Sequence, residues 1–321
     1  MPARVGGMRA GRPRSRLIGD LATFGDAPPG KLSFSEPLPD GTSHAKMAGF
    51  MNQAHLLSTD FDGTLIGFDS DFTCSAEFAE ALTGHRRRGG LWAINTGRSL
   101  PHILQGLDRF QAPVTPDFLL TNEREIFRRT SDGEWGDYGD WNVLCDSDHQ
   151  ELFHKSAPLL QALSDLVTAH PGAVVVYENG QPSGIAARDE DQAERLSADV
   201  RDLTAGVLDF SFQRNTVWLR FCHARYDKGS ALGELCRLEG ISAANVFCAG
   251  DHFNDLSMLR VERAAMLACP ANAIAPVKAA VAQSRGHVSD QAFSRGVADG
   301  LLHHENRVRQ NPVVPAEGCA S

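Results

Sequence analysis

From residue 55 onwards, the chain repeatedly places a short apolar run directly before a cluster of polar residues and glycine. Such runs occupy residues 55–59, 91–95 and 245–249, and segments with helical spacing of apolar residues, such as 74–88, lie between them. Strands that alternate with helices pair in parallel, and helices cover both faces of their sheet. The pattern predicts an α/β fold with a Rossmann-like parallel sheet whose strand ends carry the polar clusters.

The alternation of strand and helix is interrupted after the third strand, Phe118–Thr121. The next segment reads as hairpins and helices, with one helix expected at about 149–169 and another after Asp189. Segregated helices and hairpins are typical of an α+β unit. The alternation resumes at residue 227, and a further helix is expected from Asn254. We therefore expect an α+β cap domain inserted into the parallel-sheet core.

The predicted domain boundaries follow these changes of pattern. Residues 51–130 and 223–309 form the Rossmann-like core, and residues 131–222 form the inserted cap. Residues 310–321 are expected to be a frayed tail.

Residues 1–50 are rich in Gly, Pro, Arg and Ser and show no hydrophobic period. We expect a disordered leader, or a segment that is not translated if synthesis begins at Met47 or Met51. A mitochondrial presequence is the alternative, since the arginines between Arg4 and Arg16 have no acidic residue among them.

The most informative cluster is Asp60-Phe61-Asp62-Gly63-Thr64, directly after the first strand. Ligands bind at the carboxyl ends of the strands of an open parallel sheet. Asp60 and Asp62 would leave the strand on the same side if the chain stayed extended, and Gly63 permits a sharp turn. Taken alone, the segment is equally an Asp-Gly turn.

Three further features favour a binding site. Thr96-Gly97-Arg98 places a hydroxyl group and a glycine after the second strand, which suits an anion. Lys228 opens a predicted helix, where its ammonium group adds to the positive potential of the helix N-terminus. The chain has five lysines and 26 arginines, so a lysine here indicates a need for a point charge. Gly250-Asp251-His252-Phe253-Asn254-Asp255 adds two more acids after a strand.

These clusters, in this order, resemble the four motifs of the haloacid dehalogenase superfamily. The resemblance is carried by Asp60-x-Asp62-Gly63-Thr64, Thr96-Gly97-Arg98, Lys228 and Gly250-Asp251-x-x-Asn254-Asp255, and it spans roughly residues 55–300. The inserted segment is similar to the cap of the Cof-type and sucrose-phosphatase-like branch. One departure concerns the loop after the third strand: Cof-like relatives often carry Asn-Gly there, whereas this chain has Asn122-Glu123-Arg124. The resemblance therefore leaves the substrate open.

The resemblance implies a role for each matched residue. Asp60 would be the nucleophile that takes the phosphoryl group as an aspartyl phosphate. Asp62 would be the general acid and then the general base, and Lys228 would neutralise charge on Asp60 and the phosphate. The implied phosphate-binding residues are Thr96, Gly97, Arg98, Lys228 and Asn254. The implied Mg²⁺ ligands are Asp60, the backbone carbonyl of Asp62, Asp251 and Asp255.

The chemistry of these residues agrees with the implied roles. A carboxylate and a phosphate dianion repel each other, so a cation must lie between them. Hard oxygen ligands suit Mg²⁺, which can bridge a nucleophile and a phosphoryl group. Dehalogenases of the superfamily lack the second acid and transport ATPases have threonine there. Asp62 therefore favours a phosphatase or a phosphomutase, whose alkoxide leaving group must be protonated.

The sequence thus predicts a Mg²⁺-dependent phosphatase that acts on a small phosphorylated metabolite, with a sugar phosphate as the favoured substrate. Two alternatives stay open: a phosphomutase or phosphotransferase of the same superfamily, and a catalytically silent binding protein on this fold. His252 is expected to face the solvent. Trp135, Tyr138 and Trp141 either pack the cap against its hinge or stack on a sugar.

Composition excludes other classes of partner. The net charge of −9 argues against a nucleic-acid binder, and no apolar run approaches the ~18 residues of a membrane span. Seven scattered cysteines without a Cys-x-x-Cys pair are typical of reduced thiols in a cytoplasmic protein. The expected partner is the small phosphorylated substrate alone, bound by a monomer or a homodimer.

Overall fold

The computed structural model describes residues 54–67, 72–178 and 180–310. The predicted leader and nearly all of the predicted tail lie outside these described residues. The strands, in chain order, are β1 (Leu56–Thr59), β2 (Leu91–Asn95), β3 (Phe118–Thr121), β4 (Glu125–Arg129), β5 (Trp135–Asp137), β6 (Val174–Glu178), β7 (Gln181–Ala186), β8 (Phe210–Asn215), β9 (Trp218–His223), β10 (Val246–Ala249), β11 (Met266–Cys269) and β12 (His287–Val288).

Three of the α-helices in the described ranges begin directly after a residue whose side chain caps them. Ser75, Asp189 and Asp227 each accept a hydrogen bond from a backbone N–H of the first turn that follows, which satisfies a donor that the helix itself leaves unpaired. The helices are α1 (Ala76–Arg87), α2 (Leu100–Phe110), α3 (Trp141–Lys155), α4 (Ala157–Leu166), α5 (Glu190–Thr204), α6 (Lys228–Glu239), α7 (Ala275–Gln283) and α8 (Phe293–Gln310).

The larger sheet has eight strands in the order β12-β11-β10-β1-β2-β3-β4-β5. The six strands from β12 to β3 are parallel, and β4 and β5 add an antiparallel hairpin at one edge. Every residue of β1, β3, β10 and β11 is buried, because apolar clusters cover both faces of the sheet. The predicted α/β core is therefore confirmed, and the polar motifs lie at the carboxyl ends of its parallel strands.

The smaller sheet belongs to the inserted segment and is antiparallel, in the order β6-β7-β9-β8. Helices α4 and α5 supply Leu163 and Leu196 to the apolar cluster on one of its faces, together with Leu219 and Phe221 of β9. Because side chains alternate along a strand, Arg220 belongs to the opposite face. This antiparallel sheet confirms the predicted α+β cap; its boundaries remain a prediction.

Two helix predictions were wrong. The helix expected at about 149–169 begins at Trp141 and is interrupted at Ser156, because Pro158 lies in the first turn of the next helix, where it fits without a backbone N–H. The helix expected from Asn254 is only a 3₁₀ turn, Phe253–Asp255, since the Asp255 carboxylate folds back onto backbone N–H groups of its own loop. No helix within the described ranges is long and apolar enough to span a membrane.

Candidate active site

The register of the parallel strands brings the first, second and fourth motifs together at the carboxyl ends of β1, β2 and β10. Thr59 pairs with Ile94 on one side and with Ala249 on the other, and the Asp60 N–H donates to the Ala249 carbonyl (2.9 Å). The residues that follow these strands therefore lie side by side. The Asn95 side chain donates to the backbone carbonyl of Lys228 (2.9 Å), which fixes the start of α6 against the same edge.

Lys228 lies at the centre of the cluster. Its Nζ contacts Asp60 Oδ1 and Asp255 Oδ1, both at 2.6 Å, and its side chain is 0% exposed. Burial lowers the pKa of Lys228, but the carboxylates of Asp255 and Asp60 outweigh burial and raise it above the ordinary value. The lysine is therefore a fixed positive charge that orients the Asp60 carboxylate.

Three buried carboxylates, those of Asp60, Asp251 and Asp255, have oxygens within 4.8 Å of one another. Burial raises the pKa of Asp60 despite the adjacent Lys228. Burial and the nearby Asp255 raise the pKa of Asp251 to about 7. Three acids around one lysine leave an excess of negative charge, which a cation would offset.

The loops are shaped so that these carboxylates can converge. The Asp255 carboxylate accepts from the backbone N–H groups of Asp251 (2.8 Å) and His252 (2.9 Å), and the Thr64 hydroxyl donates to Asp251 (2.8 Å). Gly63 has φ +81°, and a Cβ there would lie 2.3 Å from the Asp251 carboxylate. Converging, buried, hard oxygen donors are what Mg²⁺ prefers, so the residues present fit this ion.

Asp62 does not join the carboxylate cluster. The chain turns after β1, with the N–H groups of Leu65 and Ile66 bonded to the Phe61 carbonyl, so the first motif does not stay extended. The Asp62 carboxylate instead accepts two hydrogen bonds from Arg98 (2.6 and 2.7 Å). Arg98 also stacks over the Phe61 ring at 5.0 Å. The two acids of the first motif thus have different partners and different environments.

Glu123, which the sequence identified only as a departure from the family pattern, is surrounded by predicted phosphate-binding residues. These are Thr96, Gly97 and Asn254. The Glu123 N–H donates to the Thr96 carbonyl (3.0 Å), and its Oε1 accepts from Asn254 Nδ2 (2.8 Å). A Cβ on Gly97 would lie 3.1 Å from Oε1. Glu123 is 5% exposed and has φ +64°, a region uncommon for residues other than glycine. A buried carboxylate therefore adjoins the predicted phosphate-binding residues.

The cap contacts the fourth motif directly. His252 is 5% exposed, so its expected solvent-facing position was wrong. The Thr216 N–H of the β8–β9 turn lies 3.3 Å from both of its ring nitrogens, and the Arg214 guanidinium stacks 4.9 Å above the Phe253 ring. Sequence reasoning missed both cap residues, because a single arginine in a strand or a single threonine in a turn carries no motif.

The aromatic residues after the third strand pack within the protein. Trp141 contacts the Tyr226 ring edge to face (5.0 Å between centroids) and its indole N–H donates to the Arg124 carbonyl. The Tyr138 ring lies against Phe118 (5.7 Å). Of the two interpretations of these side chains, packing therefore describes Tyr138 and Trp141.

Comparisons with known proteins agree with this geometry. A family model described as haloacid dehalogenase-like hydrolase matches residues 177–301. The Bacillus subtilis (strain 168) protein "Putative phosphatase YxeH" is 26% identical over 258 residues, which cover 72% of this chain and 93% of that protein.

Solved structures share the fold. The sucrose-phosphatase of Synechocystis sp. PCC6803, solved with sucrose and phosphate, has a TM-score of 0.58 at 19% identity and covers 79% of this chain and 99% of its own. The phosphatase BT1666 of Bacteroides thetaiotaomicron has a TM-score of 0.53 at 19% identity and covers 85% and 99%. In its matched segment and in its fold, the chain is therefore similar to the haloacid dehalogenase-like hydrolases and to phosphatases among them.

Proposed function

We propose that this protein is a Mg²⁺-dependent phosphatase that cleaves a small phosphorylated metabolite, with a sugar phosphate as the favoured substrate, through an aspartyl-phosphate intermediate. The observation that carries the proposal is the position of Lys228, which binds Asp60 and Asp255 at 2.6 Å each in a buried site. An isolated buried carboxylate would shift its pKa and become neutral; Lys228 favours the charged, nucleophilic form.

In the first step, an oxygen of Asp60 forms a bond to phosphorus while the ester oxygen leaves and takes a proton from Asp62. Thr96, Gly97 and Asn254 bind the phosphoryl oxygens, and Lys228 offsets their charge. In the second step, Asp62 takes a proton from water, the water oxygen bonds to phosphorus, and the Asp60 carboxylate is released with inorganic phosphate. Covalent capture thus divides hydrolysis into two easier displacements.

Asp60, Asp251, Asp255 and the backbone carbonyl of Asp62 would hold the Mg²⁺ ion. When bound, the ion supplies positive charge between the nucleophile and the phosphate dianion. Arg98 has a separate task, because its bidentate contact fixes the Asp62 carboxylate next to the leaving oxygen. This contact must loosen when Asp62 accepts a proton, since only the charged carboxylate attracts the guanidinium strongly.

The test is a phosphate-release assay over sugar phosphates, other metabolite phosphates and p-nitrophenyl phosphate, with Mg²⁺ and with a chelator. We expect Mg²⁺-dependent release without any added acceptor or bisphosphate activator, and no turnover by Asp60→Asn, because an amide is a poor nucleophile. Asp165→Asn, in the cap helix α4, is the matched control. Transfer to a second hydroxyl without net release would indicate the phosphomutase alternative. Inactivity on every ester would favour a silent binding protein.

The remaining parts of the proposal follow from the same site. The core, residues 51–130 and 223–309, supplies the chemistry, and the cap, residues 131–222, covers the substrate. We propose that the enzyme works in the cytoplasm, where the six described cysteines, all free, stay reduced. It acts as a monomer or homodimer on a freely diffusing substrate.

A further inference from the structure

Glu123 carries a hydrogen-bond acceptor that nothing in the described part of the chain satisfies. The residue is 5% exposed, and its Oε1 accepts from Asn254 Nδ2 (2.8 Å). Its Oε2 is buried and has no hydrogen-bond partner among the described residues, and the same holds for Asn254 Oδ1. Two side chains that bind each other therefore leave two buried acceptors without a donor.

Glu123 is unfavourable for the fold in two ways. A buried acceptor without a donor has given up its hydrogen bonds to water and received none in return. The backbone of Glu123 is also held in a left-handed conformation (φ +64°), which is strained for a residue that carries a Cβ. A glycine would avoid both penalties. Backbone strain and unpaired buried groups of this kind occur preferentially at functional sites.

The nearby cations do not supply the missing donor. Burial lowers the pKa of Lys228, while Asp255 and Asp60 raise it above the ordinary value, and the charge of Glu123 adds to that rise. Lys228 therefore lies near Glu123, but its Nζ donates to the two aspartates (2.6 Å each). Arg124 follows Glu123 in the chain, yet its buried Nε lacks a hydrogen-bond partner as well, so the two side chains do not satisfy each other.

Glu123 lies beside the predicted phosphate-binding residues. Its N–H donates to the Thr96 carbonyl (3.0 Å), and a Cβ on Gly97 would lie 3.1 Å from its Oε1. A carboxylate repels the phosphate itself, because like charges repel. It suits a hydrogen-bond donor on the group that is esterified to the phosphate, since carboxylate and amide oxygens accept from hydroxyl and ammonium groups alike.

Burial does not separate Glu123 from a substrate. Asp60, the proposed nucleophile, is itself only 3% exposed, so any substrate binds in a site that this structure holds closed. Glu123 borders the predicted phosphate-binding part of that site through its contacts with Thr96, Gly97 and Asn254. An unpaired acceptor at this position is therefore available to the part of the substrate next to the phosphate.

We propose that Glu123, together with Asn254 Oδ1, binds a hydrogen-bond donor of the leaving group, so that the preferred substrate is a phosphomonoester with a hydroxyl or ammonium group near its ester oxygen. The inference rests on the proposed phosphatase function and names a residue that selects its substrate. A site built to bind a donor rejects the analogue that lacks it, because its own polar groups are then left unpaired. An ammonium group would also offset the charge of the carboxylate, so matched esters must separate the two donors.

The experiment compares 2-aminoethyl phosphate, 2-hydroxyethyl phosphate and propyl phosphate. These esters have the same length and differ only in an ammonium, a hydroxyl or a methyl group at the end of the chain. We expect kcat/KM of at least one donor-bearing ester to exceed that of propyl phosphate by about tenfold or more, as for hydrogen bonds to charged groups. The ester that shows the preference identifies the donor. Equal values for all the esters, or a preference for propyl phosphate, would overturn the proposal.

Two variants assign the preference to Glu123. Glu123→Leu removes the acceptor and should reduce the preference to about threefold or less. Glu123→Gln keeps an acceptor without the charge, so it should abolish a preference for ammonium but keep part of a preference for hydroxyl. Neither variant should slow propyl phosphate, because a carboxylate no longer repels the phosphate. A ratio of donor ester to propyl phosphate that stays at the wild-type value in both variants would contradict the assignment, even if every ester slowed.

Glu125→Gln is the matched control, because it removes a carboxylate from the same loop. Glu125 is bound by the Thr121 hydroxyl (2.7 Å) and the Asn122 amide (2.9 and 3.0 Å), and neither is a predicted phosphate-binding residue. The full preference should therefore persist in this variant. An equal loss in Glu125→Gln and Glu123→Gln would assign the preference to the charge of the loop and reject a direct contact with Glu123.

Binding to Asp60→Asn with Mg²⁺ present, measured by calorimetry, separates this inference from the phosphatase proposal. Tighter binding of a donor ester than of propyl phosphate, lost when Glu123→Leu is added, would support the contact even if the wild-type protein released no phosphate. Hydrolysis of all the esters at equal rates would leave the phosphatase proposal intact and reject the contact. Neither binding nor hydrolysis of any of them would reject both.

Discussion

The core and the cap contribute to the candidate site in different ways. On the core side, the buried Lys228 binds the buried carboxylates of Asp60 and Asp255 at 2.6 Å each. On the cap side, Arg220 and Thr216 reach the core through single hydrogen bonds of 3.1 and 3.3 Å. Short, charge-assisted contacts in a buried site hold their side chains in one position. A long single hydrogen bond to a loop can instead be replaced by a hydrogen bond to a ligand.

This difference indicates that the core carries the catalytic chemistry and the cap the substrate specificity. The core arrangement suits a reaction that is the same for every ester, because its groups address the phosphate alone. The cap-side groups vary in type and meet the core at loops, which is where specificity is usually located. Perturbing the core should therefore change rates or stability strongly, and perturbing the cap contacts should change them weakly or selectively.

The largest expected effect concerns the leaving group. Asp62→Asn removes a proton donor without removing a member of the carboxylate cluster, so the fold and metal binding should survive. A nitrophenolate leaving group hardly needs the proton, whereas a sugar alkoxide does. The first step should therefore slow by about 10²–10⁴ for a sugar phosphate and far less for p-nitrophenyl phosphate.

A rapid-mixing experiment on Asp62→Asn checks this expectation, since Asp62 also activates water in the second step. A burst of nitrophenolate comparable to the enzyme concentration, followed by slow turnover, is the expected trace. Equal first-step losses for both substrates would contradict the general-acid role of Asp62.

A nearly equal effect is expected on stability. Lys228→Met leaves the buried carboxylates of Asp60 and Asp255 without their cation, and it should lower the free energy of unfolding by about 3–5 kcal/mol. Lys155→Met is the matched control: its exposed ion pair with Glu151 should contribute less than about 1 kcal/mol. Urea unfolding without Mg²⁺ measures both. A loss for Lys228→Met as small as that of the control would mean that the acids do not depend on the lysine.

The same contrast explains which parts could be predicted from the sequence. Asp60, Thr96, Lys228 and Gly250 follow or open elements with clear apolar patterns, so strand parallelism alone predicts that they meet. Glu123 could not be predicted as a neighbour of Asn254, because its position depends on a left-handed loop after β3. The contacts of Arg220 and Thr216 with the core depend on how the cap packs on the core, and no local sequence pattern predicts that packing.

Helix boundaries failed for a related reason. The apolar spacing predicts one helix over residues 149–169, although Trp141 and Cys145, one turn apart, also pack inward. The sequence predicts a helix from Asn254, but the side chain–backbone hydrogen bonds of Asp255 compete with helical ones. Tertiary contacts thus set the bounds of the helices whose own sequence patterns were weak.

An intermediate effect on stability is expected where helix α3 meets the end of β9, at His149 and His223. His149 Nδ1 lies 2.8 Å from the Cys145 carbonyl, and its Nε2 accepts from the His223 N–H (3.1 Å), an arrangement that requires the neutral ring. Burial, helped by the charge of Arg124 and opposed by Asp148, lowers its pKa to about 4. An unfolded histidine has a pKa of about 6.5.

The unfolded state therefore binds the proton first as the pH falls. The stabilisation from neutral His149 is complete above about pH 6.5 and is lost progressively down to about pH 4, by about 3 kcal/mol in all. His149→Gln should show a correspondingly flatter dependence of unfolding free energy on pH. His85, whose pKa burial also lowers to about 4, contributes equally to both proteins and cancels in the comparison. Parallel curves for wild type and variant would contradict the assignment.

The smallest expected effect is at the contact between the cap turn and the fourth motif. The His252 ring accepts the Thr216 N–H, while the His252 backbone N–H is bound by Asp255, which in turn binds Lys228. His252→Phe keeps a ring in this buried position but removes the acceptor, and His252→Gln restores an acceptor. Because one hydrogen bond contributes about 0.5–1.5 kcal/mol, we expect kcat to fall by about two- to tenfold in His252→Phe and to recover in His252→Gln. Hydrogen exchange of the β8–β9 turn should be faster in His252→Phe only, since the turn is then less firmly seated. A kcat reduced equally in both variants, with unchanged exchange, would mean that His252 supports the loop through packing rather than by positioning the cap.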